Sequence, residues 1–396
     1  MPNVPRTVST FAAVVTVVGT VVAGTAGTAS AAGGADATAK RPPVRSYTDV
    51  AVPGYAFRVI GERTLPARYR YAGVGGLSGI DYNAAKDRWY AISDDRSEHL
   101  PARFYTFDLD VTATGLGEPR VTDITLLKRP DGKFYPKGSV DPEAIRFDPA
   151  AGDLTWTSEG ERLVPTDGTA PTLVSPGAYR STTGGASTAE LTQPAVLAAS
   201  AGETGPRRNL ALEGLTLSAN GNGVITAMEG PLLQDGAEPT PTSGAPVRVT
   251  LHSKATGQPV NQLVYQLDPV PAASPTGGAA SNGVTEILAV DNSHYLVLER
   301  AYIEGAGNSV RLYEMDIARA TNVLNTPSLA GVTYTPTTKR LLVDFGAFGL
   351  GTVDNIEGMG WGPTLPNGER TLVLVSDDNF SSSQQTRFVA LGVTLG

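Results

Sequence analysis

Cysteine is absent from this 396-residue chain, and histidine occurs three times, at His99, His252 and His294. The first absence excludes disulfides, thiolate nucleophiles and Cys-ligated metals. The second leaves scattered imidazoles with no metal-ligand spacing. There is no phosphate-binding glycine loop. A nucleophile elbow is missing too: around Ser78 the chain reads "GGLSGI", with Ile80 where the second glycine would stand. Positive charge is in short supply. Lys and Arg number 31 against 39 Asp and Glu, a net charge of −8 that argues against a nucleic-acid partner.

Long apolar runs are also lacking, apart from "FAAVVTVVGTVVAG" at 11–24. That run follows Arg6 and precedes the small residues Ala29, Ser30 and Ala31, the pattern of a secretory signal. It is too short, and too rich in Gly and Thr, for a membrane span. No cysteine follows it to carry a lipid. Residues 1–31 are therefore expected to be a signal peptide and 32–45 a disordered lead-in. Residues 46–396 are expected to form one domain of a secreted monomer with no membrane anchor.

What the chain does contain is glycine (45), proline (29) and many short alternating runs, a pattern of all-β structure. One unit recurs: a short strand opening on an acid or Ser, a tight turn, then a strand closing on acid. The copies are "LSGIDYNAAKDRWYAISDD", "PEAIRFDPAAGDLTWTSEG", "LEGLTLSANGNGVITAMEG", "TEILAVDNSHYLVLER" and "IEGMGWGPTLPNGERTLVLVSDD". Their second residues, Ser78, Glu143, Glu213, Glu286 and Glu357, lie 65, 70, 73 and 71 residues apart. Two further candidate strands follow most units, which makes four strands per repeat and predicts a β-propeller. The second unit has weak candidates, "GAYRST" and "STAELTQ". The fifth unit lacks a fourth strand, and "YAFRVIGERTL" at 55–65 is available to supply it and close the ring. Five blades are expected. A sixth would require a divergent blade in 163–206.

In such blades the first strand starts at the face where the second ends, so the opening and closing acids share one rim. That rim is expected to collect Asp94, Asp95, Glu143, Glu159, Glu213, Glu229, Glu286, Glu299, Glu357, Asp377 and Asp378, with Ser78. Carboxylates in close array repel by about 1 kcal/mol per pair in water, and more at lower dielectric. Protonation, arginine pairing or divalent cations relieve this. Oxygen-only ligands select hard cations such as Ca²⁺ over Zn²⁺. All eleven acids are candidate metal ligands, and Asp94, Asp95, Glu213, Glu357 and Asp378 the candidates for catalysis. Arg103, Arg300, Arg311 and Arg387 fall near the same face and are the candidates to contact substrate. The competing reading makes these arginines latches that neutralise the acids. The long connections 129–142, 231–246 and 269–283 are expected to open on the acidic face.

The motifs "GGLSGIDYNAAKDRWYAISDD", "LEGLTLS…MEG", "LVLER" and "DNIEGMGW…LVLVSDDN" resemble the phytase-like, "esterase-like activity of phytase" family, over roughly residues 54–394. The resemblance implies an exported bacterial propeller and a hydrolase of phosphomonoesters or related esters. The better-known propeller phytases, with six blades, use an acidic Ca²⁺ cluster at the channel mouth. Two alternatives stay open: a Ca²⁺-dependent lactonase or esterase taking a neutral substrate, and a non-enzymatic binding module.

Overall fold

The computed structural model describes residues 46–396. The expected signal peptide and lead-in lie outside the described residues. Five antiparallel sheets are arranged as a five-bladed propeller. Blade 1 comprises Leu77–Asn83, Arg88–Ser93, Arg103–Asp108 and Arg120–Leu126; blade 2 comprises Pro142–Asp148, Asp153–Ser158, Gly177–Thr182 and Ser187–Leu191. Blade 3 comprises Leu212–Leu217, Gly223–Met228, Pro246–Ser253 and Pro259–Gln266; blade 4 comprises Ala280–Ala289, His294–Ile303, Gly307–Asp316 and Thr338–Asp344. Both weak strands of the second unit are thus real. Residues 163–206 hold no sixth blade. They contribute to a two-stranded ribbon, Glu161–Leu163 with Thr172–Val174, then the outer strands of blade 2 and a single 3-10 turn, Ala195–Leu197.

Blade 5 is built from both ends of the described chain. Ile356–Thr364, Arg370–Ser376 and Arg387–Leu395 are joined by Tyr55–Thr64, which pairs antiparallel with the last strand from Tyr55↔Leu395 to Thr64↔Arg387. Val50–Val52 adds a fifth strand outside it. The N-terminal strand closes the ring as expected.

Strand alternation fills the wedges between blades. Trp89 and Ala91 face blade 5, packing with Val373 and Phe388. Their neighbours Tyr90 and Ile92 face blade 2, packing with Ile145 and Trp156. Equivalent layers join blades 2 and 3, 3 and 4, and 4 and 5.

The first strands meet side by side around the axis. Each blade has a register shift near the start of its inner hairpin. Leu77/Gly79, Leu212/Gly214, Val284/Glu286 and Ile356/Gly358 flank it on the first strand, and in blade 2 Glu143 and Ala144, between Pro142 and Ile145, oppose the single residue Thr157. Such a bulge inserts one residue and re-aims its side chain. The inserted residues are Ser78, Glu143, Glu213, Thr285 and Glu357. The following positions are Gly79, Gly214 and Gly358, with Ala144 in blade 2, because neighbouring strands approach closely there. A Cβ on Gly79 would meet the Glu143 carbonyl at 2.7 Å, and one on Gly358 the Ser78 carbonyl at 2.7 Å.

In blade 4 this small-residue position holds Glu286, which corrects the expected register by one residue. Glu286 leaves the rim and pairs inside the channel with Arg146, at 2.7 Å. The Arg146 guanidinium donates to the carbonyls of Ile80 (2.9 Å), Ile145 (2.8 Å), Ile287 (3.1 Å) and Met359 (3.0 Å), one from each of four blades. The pair plugs the channel below its mouth.

Candidate functional site

A polar cavity of about 750 Å³ opens at the end of the channel where the first strands begin. The residues closing the second strands define its ring by a shared backbone contact. The amides of Asp94, Glu159, Glu229 and Asp377 donate to the carbonyls of Gly76, Asp141, Ala211 and Asn355, just ahead of each first strand (2.8, 2.9, 2.6 and 2.9 Å). In blade 4 the residue opposite the equivalent position, Gly283, is Arg300. The ring therefore reads Asp94, Glu159, Glu229, Arg300, Asp377. The inserted residues of the first strands add Glu143, Glu213 and Glu357 beside it.

With Asp141, eight carboxylates face the guanidinium groups of Arg96 and Arg300. Arg96 is 2.5 Å from Asp141 and 3.1 Å from Glu161. Arg300 is 3.0 Å from Glu357 and 3.4 Å from Glu229. Ser78 Oγ donates to Glu143 (2.9 Å), and the Ala211 amide to Glu159 (2.5 Å). Asp94 Oδ1 and Glu213 Oε2 are buried and have no hydrogen-bond partner.

Carboxylate oxygens of Asp141, Glu143 and Glu159 lie within 4.8 Å of one another, and so do those of Glu159, Glu213 and Glu229. Both groups contain Glu159. Burial, and then the neighbouring charges, hold Asp94, Glu143, Glu159, Glu213 and Asp377 well above the usual carboxylate range. Burial pushes Asp141 up to about 6 against the pull of Arg96, and Glu229 up to about 7 against that of Arg300. These acids are strained as anions. Protons or a hard cation relieve that strain.

Several expected site residues are tied up in ion pairs and loop contacts, as in the latch reading, and of these Asp95 alone also lines the cavity. Asp95 accepts from the amides of Glu98 (2.7 Å), His99 (3.1 Å) and Leu100 (2.9 Å) and from Arg103 (2.6 Å). Asp378 accepts from the Gly76 and Phe380 amides and from Arg70, at 3.0, 3.1 and 3.0 Å. The second aspartate of each Ser-Asp-Asp run thus ties a loop down, and the first faces the mouth. Glu299 faces the opposite side of its strand from Arg300 and is held by Tyr265 (2.8 Å), Asn282 (2.7 Å) and Lys339 (2.5 Å). Arg103 is buried on Asp95, Arg311 reaches Asp268 at 3.6 Å, and Arg387 reaches Glu62 at 3.5 Å. Of the four candidate arginines, Arg300 alone lines the cavity.

Sequence reading missed Asp141, whose signal was its place directly before the second unit. The three long connections lie at this face as expected, since they leave second strands or lead into first strands, but they contribute little to the cavity lining. Of the three long connections, 129–142 supplies Asp141 to the cavity, and 231–246 and 269–283 supply no lining residue. The walls come instead from the segments after the second strands of blades 1 and 5. There Phe380 packs against His99 with the rings tilted and their centres 4.4 Å apart, and the φ angles of Asn379 and Phe380 are +47° and +50°.

Solved structures similar to this chain are distant. The exo-beta-1,3-galactanase from Phanerochaete chrysosporium is 11% identical with a TM-score of 0.41, covering 84% of this chain and 64% of that one. The gluconolactonase XC5397 from Xanthomonas campestris is 13% identical with a TM-score of 0.31, covering 80% and 72%. A bifunctional GH43-CE protein from Bacteroides eggerthii is 10% identical with a TM-score of 0.38, covering 83% of this chain, which spans 34% of that one. Likenesses this low carry no argument about activity. No curated protein matches the sequence. The model of the family described as "Phytase-like: Esterase-like activity of phytase" matches residues 72–380, most of the propeller from blade 1 into blade 5, and the chain belongs to that family.

Proposed function

We propose that the channel mouth is the active site of a divalent-cation-dependent hydrolase acting on phosphomonoesters or related small anionic esters, with Ca²⁺ the favoured ion. The observation that carries this reading is the excess of eight buried or half-buried carboxylates over two guanidinium groups, with Asp94 Oδ1 and Glu213 Oε2 buried and unpartnered. The donors are oxygens throughout, which suits a hard cation. Two overlapping groups could hold it, Asp141–Glu143–Glu159 and Glu159–Glu213–Glu229, and Arg300 already borders the second through Glu229. A bound ion would offset the negative charge of the ester and lower the pKa of a coordinated water.

The protein's own groups supply the rest. Arg300 presents a fixed positive charge toward an ester oxygen. Asp94 and Asp377, held above the ordinary carboxylate range, are suited to pass a proton to the departing alkoxide. A neighbouring ionised carboxylate takes the proton that the attacking water gives up. We further propose that the protein is exported after loss of residues 1–31 and acts as a monomer.

The test is turnover of a generic phosphomonoester, a carboxylic ester and a lactone, each with Ca²⁺ and with chelator. Phosphomonoester hydrolysis lost in chelator is the expected result. Lactone or carboxylic ester turnover without it would move the protein to the neutral-substrate alternative. No turnover of any class would leave a binding module.

A further inference from the structure

Four blades close their second strand on a carboxylate at the mouth, and blade 4 closes on Arg300. The backbone position is the same, so the exchange is one of side-chain charge within a five-fold arrangement. Arg300 is largely buried and bridges Glu357 of blade 5 and Glu229 of blade 3, at 3.0 and 3.4 Å. Glu229 belongs to the group whose oxygens lie within 4.8 Å of Glu159 and Glu213. Glu213 Oε2 is buried with no partner. Without the guanidinium, Glu229 and Glu357 would lose their shared partner beside Glu213, with nothing to balance the three carboxylates on this side of the mouth.

We infer that Arg300 is a built-in counter-cation occupying one divalent-cation subsite, formed by Glu213, Glu229 and Glu357, so that the exchangeable ion is confined to the Asp141–Glu143–Glu159 side. The two positive centres then face each other across the mouth. One of them, unlike an ion, survives chelation. An anionic group entering between them is held from both sides. This deepens the reading of the mouth as a cation-dependent site, yet its test does not depend on activity.

Ca²⁺ stoichiometry is measured by calorimetry and equilibrium dialysis on the full mature protein, the Arg300→Met variant and the Arg300→Lys variant. Melting temperature is followed with Ca²⁺ and with chelator. The methionine variant should bind one more Ca²⁺ per chain than the parent. In chelator it should melt roughly 5 °C lower, since two carboxylates lose their partner, and Ca²⁺ should restore the loss. The lysine variant keeps a charge and should match the parent in stoichiometry. Equal stoichiometry in the methionine variant and the parent overturns the inference. So does a methionine variant that stays unfolded in excess Ca²⁺. If the parent binds no ion and the methionine variant binds one, the inference stands and the cation-dependent mechanism falls. If the parent binds an ion and the variant binds no more, the reverse holds.

Discussion

Replacing Arg146 by methionine would leave the Glu286 carboxylate inside the channel, where its side chain is about 1% exposed, without its counter-charge. The arginine also donates to carbonyls of blades 1, 2, 4 and 5, so four blades lose a shared donor at once. Breaking a buried pair from one side costs about 3–5 kcal/mol. At roughly 2–4 °C per kcal/mol for chains of a few hundred residues, the melting temperature should fall by about 10 °C. The deficit should depend on pH. Burial already pushes Glu286 up to about 7, with Arg146 opposing the rise. Without the arginine the folded-state value climbs further above the unfolded one. Folding then favours the protonated acid, and stability falls as pH rises. The deficit at pH 8 should therefore exceed that at pH 5. Glu286→Gln should cost less, because Arg146 keeps its carbonyl partners. The double variant should recover much of the loss. Differential scanning calorimetry of the three variants at both pH values is the measurement. An Arg146→Met melt within 2 °C of the parent, or deficits equal at pH 5 and pH 8, would refute the plug as a determinant of stability.

Deleting residues 46–65 should abolish cooperative melting. The lost strand buries Tyr55, Phe57, Val59 and Ile60, worth about 1.5–3 kcal/mol each, against a typical net stability of about 5–15 kcal/mol. Urea titration followed by fluorescence checks this. In chelator, the melting temperature should fall as pH rises from 5 to 8. The folded values of Asp141 (about 6) and Glu229 (about 7) are raised above their ordinary ones, so the stability they lend is complete at acid pH and disappears through that window. Ca²⁺ should flatten the curve, and a flat curve in chelator would show that these acids are not strained. Asp94→Asn should lower turnover of a phosphomonoester at least tenfold with little change in melting. Asp95→Asn should instead lower the melting temperature by several degrees, because it weakens the loop anchored on Arg103. Circular dichroism melts beside initial rates separate the two, and the opposite pattern would return the chemistry to Asp95.

The sequence alone determined the architecture. The unit "strand opening on acid, turn, strand closing on acid" carries local information: alternation of apolar residues, turn residues between, and even spacing. Those features specify hairpins without reference to the rest of the chain. The missing last strand and the spare one at Tyr55–Thr64 were equally legible, because an open sheet edge is a deficit visible in a strand count. So was the gathering of acids at one end, which follows from strand direction. What only the tertiary structure decided was which acids look into the mouth. Side chains alternate along a strand with a period of two, so a slip of one residue moves a charge from one face to the other. "TEIL" aligns with "LEGL" on its Glu and its final Leu, yet the bulge falls on Thr285. That sends Glu286 into the channel and leaves Glu299 facing the opposite side from Arg300. A trace of this was present in the chain: glycine or alanine follows Ser78, Glu143, Glu213 and Glu357, while isoleucine follows Glu286. The two Ser-Asp-Asp runs divide for a related reason. Asp94 and Asp377 follow their strands at the ring, whereas Asp95 holds its own loop together with Arg103 and Asp378 holds the Gly76 amide and Arg70, which only folding brings near it. Charge pattern could place carboxylates at a rim. Which of them keep a free oxygen depends on the partners that distant segments bring.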